Sequence, residues 1–591
     1  MCGIWGVISV RDITKEQIKS WYKLFESIKP RGPDKSTVTH IGKVVYGFHR
    51  LAIHDLTPLG DQPFIFYKFN KLYLLQANGE IYNYKELAEK YDLVKDLKSD
   101  SDCEIIAHLY FKFKSIEAVA KELRGEFAFA LTEISDGFYK TYLCRDPIGV
   151  RPLFYSFDRD GGNLFFASTL SGVIDGSVDE GKVFPPGNIL EINEHTHRFK
   201  QYYQYDYKFI NTVSSCARDL ERNSLKIPSS CARDLERNSL KIPSSCARDL
   251  ERNSLKIPSS CARDWEITSR LINAVKVRLD SDRPIGALLS GGLDSSLVCA
   301  IASKLLGYTG LRTFSIGMSK GTDLEYAKKV SEHLGTSHTE VFFTPEEGLK
   351  AIDQVLQVTE TWDITTIRAS VGQLLLGRYI SSNTDIKVIL NGDGADEVEM
   401  GYLYFYLAPD AKSAQEESVK LVKQIHRFDG LRVDRCISSH GLEARLPFLD
   451  QDFVDYYMQI DPELKIPTTT RMEKQLIRDA FDKLYPNILP QEVLYRKKEA
   501  FSDGVSSKEK SWFELITEWI ETKVPDKEFE MRDMNYYSTC KSKESYYYRK
   551  RFNELFNKTI LPSNDVIPHY WLPNWVETNG EPSARVLQVY K

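Results

Sequence analysis

The segment PIGALLSGGLDSSLVCAIASKLLG (284–307) decides the fold of the larger half of this 591-residue chain. PIGALL (284–289) is an apolar run of the length of one buried strand, and SSLVCAIASKLLG (295–307) reads as a helix closed by a glycine. Between them lies SGGLDS (290–295), where Gly291 and Gly292 permit close backbone approach and Ser290, Ser295 and Ser296 offer hydroxyls. The helix behind the loop presents unpaired N–H groups and its positive dipole end. Together these parts form an anion nest suited to a pyrophosphate. No GxxxxGK[ST] run occurs in the chain, so this is not a Walker A loop. Asp294 at the helix start repels bare phosphate but suits a Mg²⁺ ion bridging to it. A Gly-Ser turn with an aspartate cap is the plainer alternative, and the flanking strand and helix argue against it.

Outward from this segment, helices alternate with short apolar strands. A helix is predicted over 267–279, strands over 312–317, 339–343 and 386–392, and a further helix over 323–334. That alternation is the pattern of a parallel, doubly wound sheet, and beyond about 410 the chain reads as mostly helical. NGDGADE (391–397) follows a strand, so it is expected to face SGGLDS across a cleft at the carboxyl ends of the strands. Asp393, Asp396 and Glu397 are suited to holding Mg²⁺ or a cationic group. Arg368 in TTIRAS and Lys498 in RKKEAFSDG are positive candidates for phosphate neutralisation.

Residues 1–205 have a different texture. Short alternating strands such as VVYGFHRLAIHDL (44–56), KLYLLQANGEIYN (71–83) and EFAFALTEI (126–134) predict stacked antiparallel sheets, with helices near 84–91 and 103–115. Cys2 heads the first strand. Once Met1 is removed, it carries a thiol and a free α-amine on one carbon, so one residue supplies both nucleophile and base.

Between the halves, at 206–265, lies an insert. SSCARDLERNSLKIP occurs at 214–228, 229–243 and 244–258, and a fourth copy stops after SSCARD (259–264). Its low apolar content and short period argue against a solenoid. The spacing of Cys216, Cys231, Cys246 and Cys261 fits no zinc pattern. A tandem duplication tolerated in a non-catalytic linker is the expectation, because lengthening a loop costs little.

The net charge of −5 and the lack of a long basic run disfavour nucleic acid and anionic membrane as main partners. MCGIWGVISV reads as too short and aromatic for a signal peptide, no apolar run reaches about 18 residues, and the ten cysteines form no CxxC pair. These features predict a multidomain cytoplasmic enzyme without a prosthetic group.

Taken in order, the motifs resemble those of the glutamine-hydrolysing asparagine synthetases across the whole chain except the insert. MCGIWG, RGPD (31–34), HRLAIHD (49–55), NGEIYNY (78–84), SDSDCE (99–104) and RDPIGVRPL (145–153) look like a class II glutamine amidotransferase domain over 1–205. LLSGGLDSSLV, ETWDITTIRAS (360–370), GLEARLPFLD (441–450) and KKEAFSDG (497–504) look like the family's ATP-pyrophosphatase domain over 266–591. SYYYRKRF (545–552) and PHYWLPNW (568–575) look most like its eukaryotic-type branch.

The resemblance implies an αββα Ntn-hydrolase sandwich followed by the α/β domain, with L-glutamine, L-aspartate and ATP as substrates, Mg²⁺ accompanying ATP, and a homodimer left open. It implies that Cys2 attacks the glutamine amide, that Asn78 and Gly79 form the oxyanion hole, and that Arg50 binds the glutamine carboxylate. Glu80 and Asp102 would take its amino end, with Leu51, Ala52, Ile53 and His54 around it. In the second site, Leu289 and Ile316 would cradle the nucleoside beside Asn391 and Gly392, and SGGLDS would hold pyrophosphate. Asp294 and Asp396 would bind Mg²⁺, and Arg368, Thr365 and Lys498 would face the reacting groups. The reaction implied is glutamine-dependent amidation of aspartate through an acyl-adenylate, with ammonia passed internally. The most similar family pattern reads SGEGSDE where this chain has NGDGADE, so Asp393 stands for a glutamate and Asn391 for a serine. Amidation of another carboxylic acid, or a non-catalytic assembly role built on the repeats, are the competing readings.

Overall fold

Gly3–Ser9 enters the middle of a six-stranded antiparallel sheet and is buried along its whole length. Alternation explains why both of its faces are apolar. Ile4 and Ile8 point into the core between two sheets, whereas Trp5 and Val7 pack against Trp21, Leu24 and Phe25 of the outer helix Lys15–Ser27. In this computed structural model residues 1–174, 180–205, 207, 259–307, 310–318, 321–498, 510–534, 540–556 and 572–576 are described. The first sheet runs, in spatial order, Lys182–Val183, Phe154–Phe157, Asn163–Ala167, Gly3–Ser9, Val44–Arg50, Lys35–Ile41. The second runs His197–Gln201, Asn188–Asn193, Phe138–Arg145, Gly125–Ser135, Lys71–Ile81, Phe64–Lys68. Helix Ile105–Phe113 covers its outer face through Ile106, Leu109 and Tyr110. The layers are therefore helix, sheet, sheet, helix: the alternating pattern predicts the stacked antiparallel sheets, and the family resemblance implies the αββα order.

The second half is built on five parallel strands in the order Ser337–Phe342, Arg312–Gly317, Ile285–Leu288, Val388–Leu390, Glu443–Arg445. The first strand in sequence, Ile285–Leu288, sits at the centre, and the sheet grows one way and then the other from it. The point of reversal lies between Ile285–Leu288 and Val388–Leu390, where a doubly wound sheet opens its ligand crevice. Helices Leu293–Leu305, Thr322–Leu334 and Ile364–Asn383 pack on the sheet, and the chain beyond Ala411 is largely helical. Among the described residues no helix is long and apolar enough to cross a membrane.

The expected helix at 267–279 starts earlier, as Ser259–Val277, and takes in the truncated fourth repeat. Asp264 of that copy is buried and accepts from Lys483 Nζ at 3.0 Å, which anchors it to the second domain. The three full copies fall outside the described residues.

The domains meet across buried charge. Glu126 of the first accepts from Arg278 Nε at 3.0 Å and pairs with Arg151 at 3.0 Å. Asp450 pairs with Arg278 and with Arg124, each at 2.8 Å, and Arg31 forks onto Asp434 at 2.6 and 3.0 Å. Glu360 accepts from the backbone N–H groups of Leu170 and Ser171, each at 2.7 Å. Such groups are dehydrated in the folded state, so breaking one pair strands its partners. Replacing Glu126 by alanine should therefore lower stability by about 3–5 kcal/mol, read as an earlier first transition on urea unfolding of the full chain.

Candidate active sites

Cys2 sits at the floor of a cavity in the first domain, where the two central sheets approach the second domain. Its Sγ lies 3.4 Å from the N–H of Leu51, which donates to it, and 3.5 Å from the Leu51 carbonyl. Burial pushes the thiol up, against the pull of the nearby terminal ammonium. Arg50, Leu51, Ile53, His54, Gly79, Glu80 and Asp102 line the same cavity. Ala52 lies behind it, its N–H bonded to Asp34 and its carbonyl to Arg283 of the second domain, each at 2.9 Å. The Arg50 guanidinium donates to Asp61 at 2.7 Å and to the Thr57 carbonyl at 2.8 Å, so it is fixed at the cavity edge.

Gly79 must be glycine, because a Cβ there would stand 2.0 Å from the Glu126 carbonyl oxygen on the neighbouring strand. Asn78 is fully buried, and neither polar atom of its side chain has a hydrogen-bond partner among the described residues. A buried amide left in that state carries a large desolvation cost unless a ligand completes it. His54 Nε2 meets Glu80 at 3.0 Å. Burial opposes charge on that ring, yet Glu80 and then Asp102 push it up to about 10. Asp102 is itself pushed up to about 7 by burial and by Glu80.

Two groups that complete these surroundings come from the second domain, Glu443 and Arg445 of the GLEARLPFLD segment, whose motif does not by itself point to the Cys2 cavity. Glu443 enters the Cys2 cavity, 3.7 Å from the Met1 ammonium. Arg445 pairs with Glu80 at 2.9 Å and with Glu443 at 2.8 Å. Both belong to the edge strand Glu443–Arg445, whose last carbonyl accepts the Asn391 N–H at 3.0 Å. One three-residue strand thus touches both candidate sites.

The second cavity opens at the sheet's reversal point, as the strand–loop–helix pattern predicts. Leu289, Ser290, Gly292, Asp294, Ser295, Ile316, Asn391, Gly392, Asp393, Asp396 and Lys498 all line it. Gly291 turns the loop at φ 75° just behind the lining. Gly392 lies so near the opposite loop that a Cβ would be 2.6 Å from Ser295 N, which holds the two loops face to face. Helix Leu293–Leu305 begins at Gly292 without a side-chain cap, so its first-turn N–H groups face the crevice.

Asp393 Oδ2 accepts from Gln373 at 3.0 Å, and from Arg432 and Asn391 at 3.2 Å each. Asn391 Oδ1 in turn accepts the Asp393 N–H at 3.1 Å. Beside it, burial and the neighbouring Asp429 and Asp396 push Glu397 up to about 8, so it is a poor cation ligand at neutral pH.

Lys474, which the sequence motifs did not single out, donates to both Asp294 oxygens at 2.6 Å and meets Asp396 at 2.6 Å. Lys498 pairs with the other Asp396 oxygen. Burial works against ionisation of Asp396, but Lys474 and Lys498 hold it well below the usual carboxylate range. The donor set fits Mg²⁺, which favours one or two carboxylates completed by phosphate oxygens. A cationic ammonium already lodged between Asp294 and Asp396 marks the point where positive charge is stabilised.

Arg368 and Thr365 do not line this cavity. Arg368 forks onto Glu544 of helix Lys543–Leu555 at 2.9 and 2.6 Å, and its guanidinium lies 4.4 Å from the Phe513 ring centre. The carboxylate that holds it lies 176 residues downstream, beyond any local motif.

Comparison with known proteins finds a domain model for each half of the chain. Residues 1–183 match the glutamine amidotransferase domain model, and residues 266–422 and 408–577 match the asparagine synthase model. The chain is 39% identical to the asparagine synthetase [glutamine-hydrolyzing] of Gallus gallus over 616 residues, covering 100% of this chain and 99% of that protein. It is 39% identical to the Homo sapiens protein of the same name over 605 residues and 38% to that of Bos taurus over 604, with the same coverage. With both domain models matched in order and full-length relatives at this identity, the chain belongs to the glutamine-hydrolysing asparagine synthetases.

Proposed function

We propose that the enzyme hydrolyses glutamine at the Cys2 cavity and uses the released ammonia to amidate aspartate at the second cavity, with cleavage of ATP to AMP and diphosphate. The observation that carries this reading is the pairing of a half-buried nucleophile and orphaned Asn78 amide in one domain with an uncapped helix N-terminus and carboxylate–ammonium cluster in the other.

In the first cavity the Cys2 thiol gives its proton to the α-amine exposed on removal of Met1, its sulfur attacks the glutamine amide carbon, and the α-ammonium then passes that proton to the leaving nitrogen. The oxyanion forms against Asn78 and the Gly79 N–H, where one donor is worth about 10²–10³ in rate. Ammonia leaves, and water then cleaves the thioester to glutamate. Glu80 and Asp102 face the substrate's α-ammonium, with Arg50 at its carboxylate end.

In the second cavity the aspartate side chain attacks the α-phosphorus of ATP, expelling diphosphate and leaving a β-aspartyl adenylate. Ammonia attacks the acyl carbon, and AMP departs. Mg²⁺ bound with ATP would neutralise charge on the phosphates, with Asp294 and Asp396 as its protein ligands. Lys498, Lys474 and the first-turn N–H groups of helix Leu293–Leu305 bind the departing diphosphate. A water-poor internal passage keeps the ammonia unprotonated, and the strand Glu443–Arg445, which touches both sites, is the shared element near which it would run. Arg368 reaches the phosphates only after leaving Glu544.

Replacing Cys2 by alanine should abolish asparagine formation from glutamine while sparing formation from added ammonium. Loss of both in a folded variant, followed by assay of asparagine and AMP, would show that the sites are misassigned.

Asp102 loses its charge as pH falls through about 7, because burial and Glu80 favour its protonated form, and the neutral acid binds an ammonium poorly. The value of kcat/KM for glutamine should therefore drop below that pH, since it reports groups of the free enzyme. Synthesis compared at constant free ammonia should lack this limb, and Asp102→Asn should remove it from the glutamine profile.

Replacing Asn391 by serine takes away one side-chain hydrogen bond to Asp393 and should cut ammonium-driven synthesis roughly two- to tenfold. An unchanged rate would mean that Asn391 does not position Asp393.

A further inference from the structure

We propose that Lys474 is the resident counter-ion of the Asp294–Asp396 pair, holding the two carboxylates together and excluding a divalent cation until nucleotide phosphates arrive with it. This rests on the reading that Asp294 and Asp396 are the Mg²⁺ ligands. Two adjacent carboxylates in a dehydrated cleft repel one another, and one tends to take up a proton. Here Lys474 Nζ lies 2.6 Å from each oxygen of Asp294 and 2.6 Å from Asp396, and its side chain is 2% exposed.

The backbone is shaped to keep the ammonium there. Lys474 adopts the left-handed region at φ 59°, a costly conformation for a side chain of this size, immediately before helix Gln475–Leu484. Gly401 closes the other side: a Cβ at that position would lie 2.1 Å from Lys474 Cε and 2.2 Å from Asp396 Oδ1. Strain on one side and a glycine on the other fix Lys474 between the two acids.

Charge then dictates the order of binding. Asp294 and Asp396 balance Lys474 and Lys498, so the cluster is neutral at rest. A divalent ion entering alone would leave a net charge of about +2 in a dehydrated cleft and face two ammonium groups at close range. The same ion accompanied by ATP brings phosphate charge that offsets it, and the phosphates give the displaced Lys474 ammonium a new partner. Lys474 is in this sense a positioning residue that links occupancy of the metal site to the nucleotide.

Mn²⁺ provides a probe, titrated into the full-length protein without nucleotide and followed by the loss of its free-ion paramagnetic resonance signal. Wild-type protein should bind it weakly, and Lys474→Met should bind it at least about tenfold more tightly. Lys474→Arg, which keeps the charge, should stay close to wild type. Adding Asp294→Asn to Lys474→Met should remove the gain. Equal affinity in wild type and Lys474→Met would overturn the role of Lys474 while leaving the ligands in place. A gain that survives Asp294→Asn would overturn the ligand assignment, and the proposal with it. If Lys474→Met does not fold, the wild type still decides: micromolar Mn²⁺ binding without nucleotide would overturn the proposal.

Discussion

The ion pair between Arg445 and Glu80 is the constraint on which the two-domain structure turns. Its donor sits on the edge strand of the parallel sheet and its acceptor in the antiparallel half, and both are almost wholly removed from water. A guanidinium in that position is tolerable only while its partners stay put: Glu80 and Glu443, and the Arg278 and Asp280 carbonyls at 2.9 and 2.6 Å. The cost of separating them fixes how the domains dock more firmly than apolar contact alone, since buried charges tolerate little change in geometry.

That docking has a chemical consequence. Glu443 shapes the Cys2 cavity from outside its own domain, and Asn391 hangs from the backbone of Arg445 on the other side of the same strand. A shift of the strand toward either site moves groups in both. The Cys2 cavity is therefore incomplete without the second domain. Any change at the Glu80 pair acts on the strand whose last carbonyl holds the first residue of the loop 391–397, so the two cavities share one element through which they can be coupled.

Local signals made much of this legible. SGGLDS and NGDGADE read as loops at the ends of adjacent strands because each follows a short apolar run, and the sheet order places them face to face. The Cys2 surroundings were equally readable, since HRLAIHD and NGE lie on or just beyond strands of the two facing sheets of the sandwich. Side chains whose meaning lies in distant partners were not readable. Lys474 sits in RMEK, an unremarked stretch before a helix, and its role exists only because folding brings it to Asp294, 180 residues earlier. Arg368 is the converse case. Its motif points to phosphate, but a carboxylate on a helix near the end of the chain holds it elsewhere. Charge alone does not reveal which opposite charge a residue will meet.

Two of the three departures in NGDGADE, those at 391 and 393, also read differently as a pair than one at a time. Aspartate in place of glutamate shortens the side chain by one C–C bond, about 1.5 Å, and taken alone this withdraws the carboxylate from the cleft. Asparagine in place of serine lengthens its neighbour, and the added amide is the group that contacts the shortened carboxylate, while its oxygen receives the backbone N–H of the same residue. Gln373 and Arg432 complete the hold. The aspartate is thus pinned by four hydrogen bonds at a fixed point on the cavity wall. A carboxylate held in this way acts through a set position, without the reach of a longer, freer side chain, and the loop keeps its rigidity while giving up length.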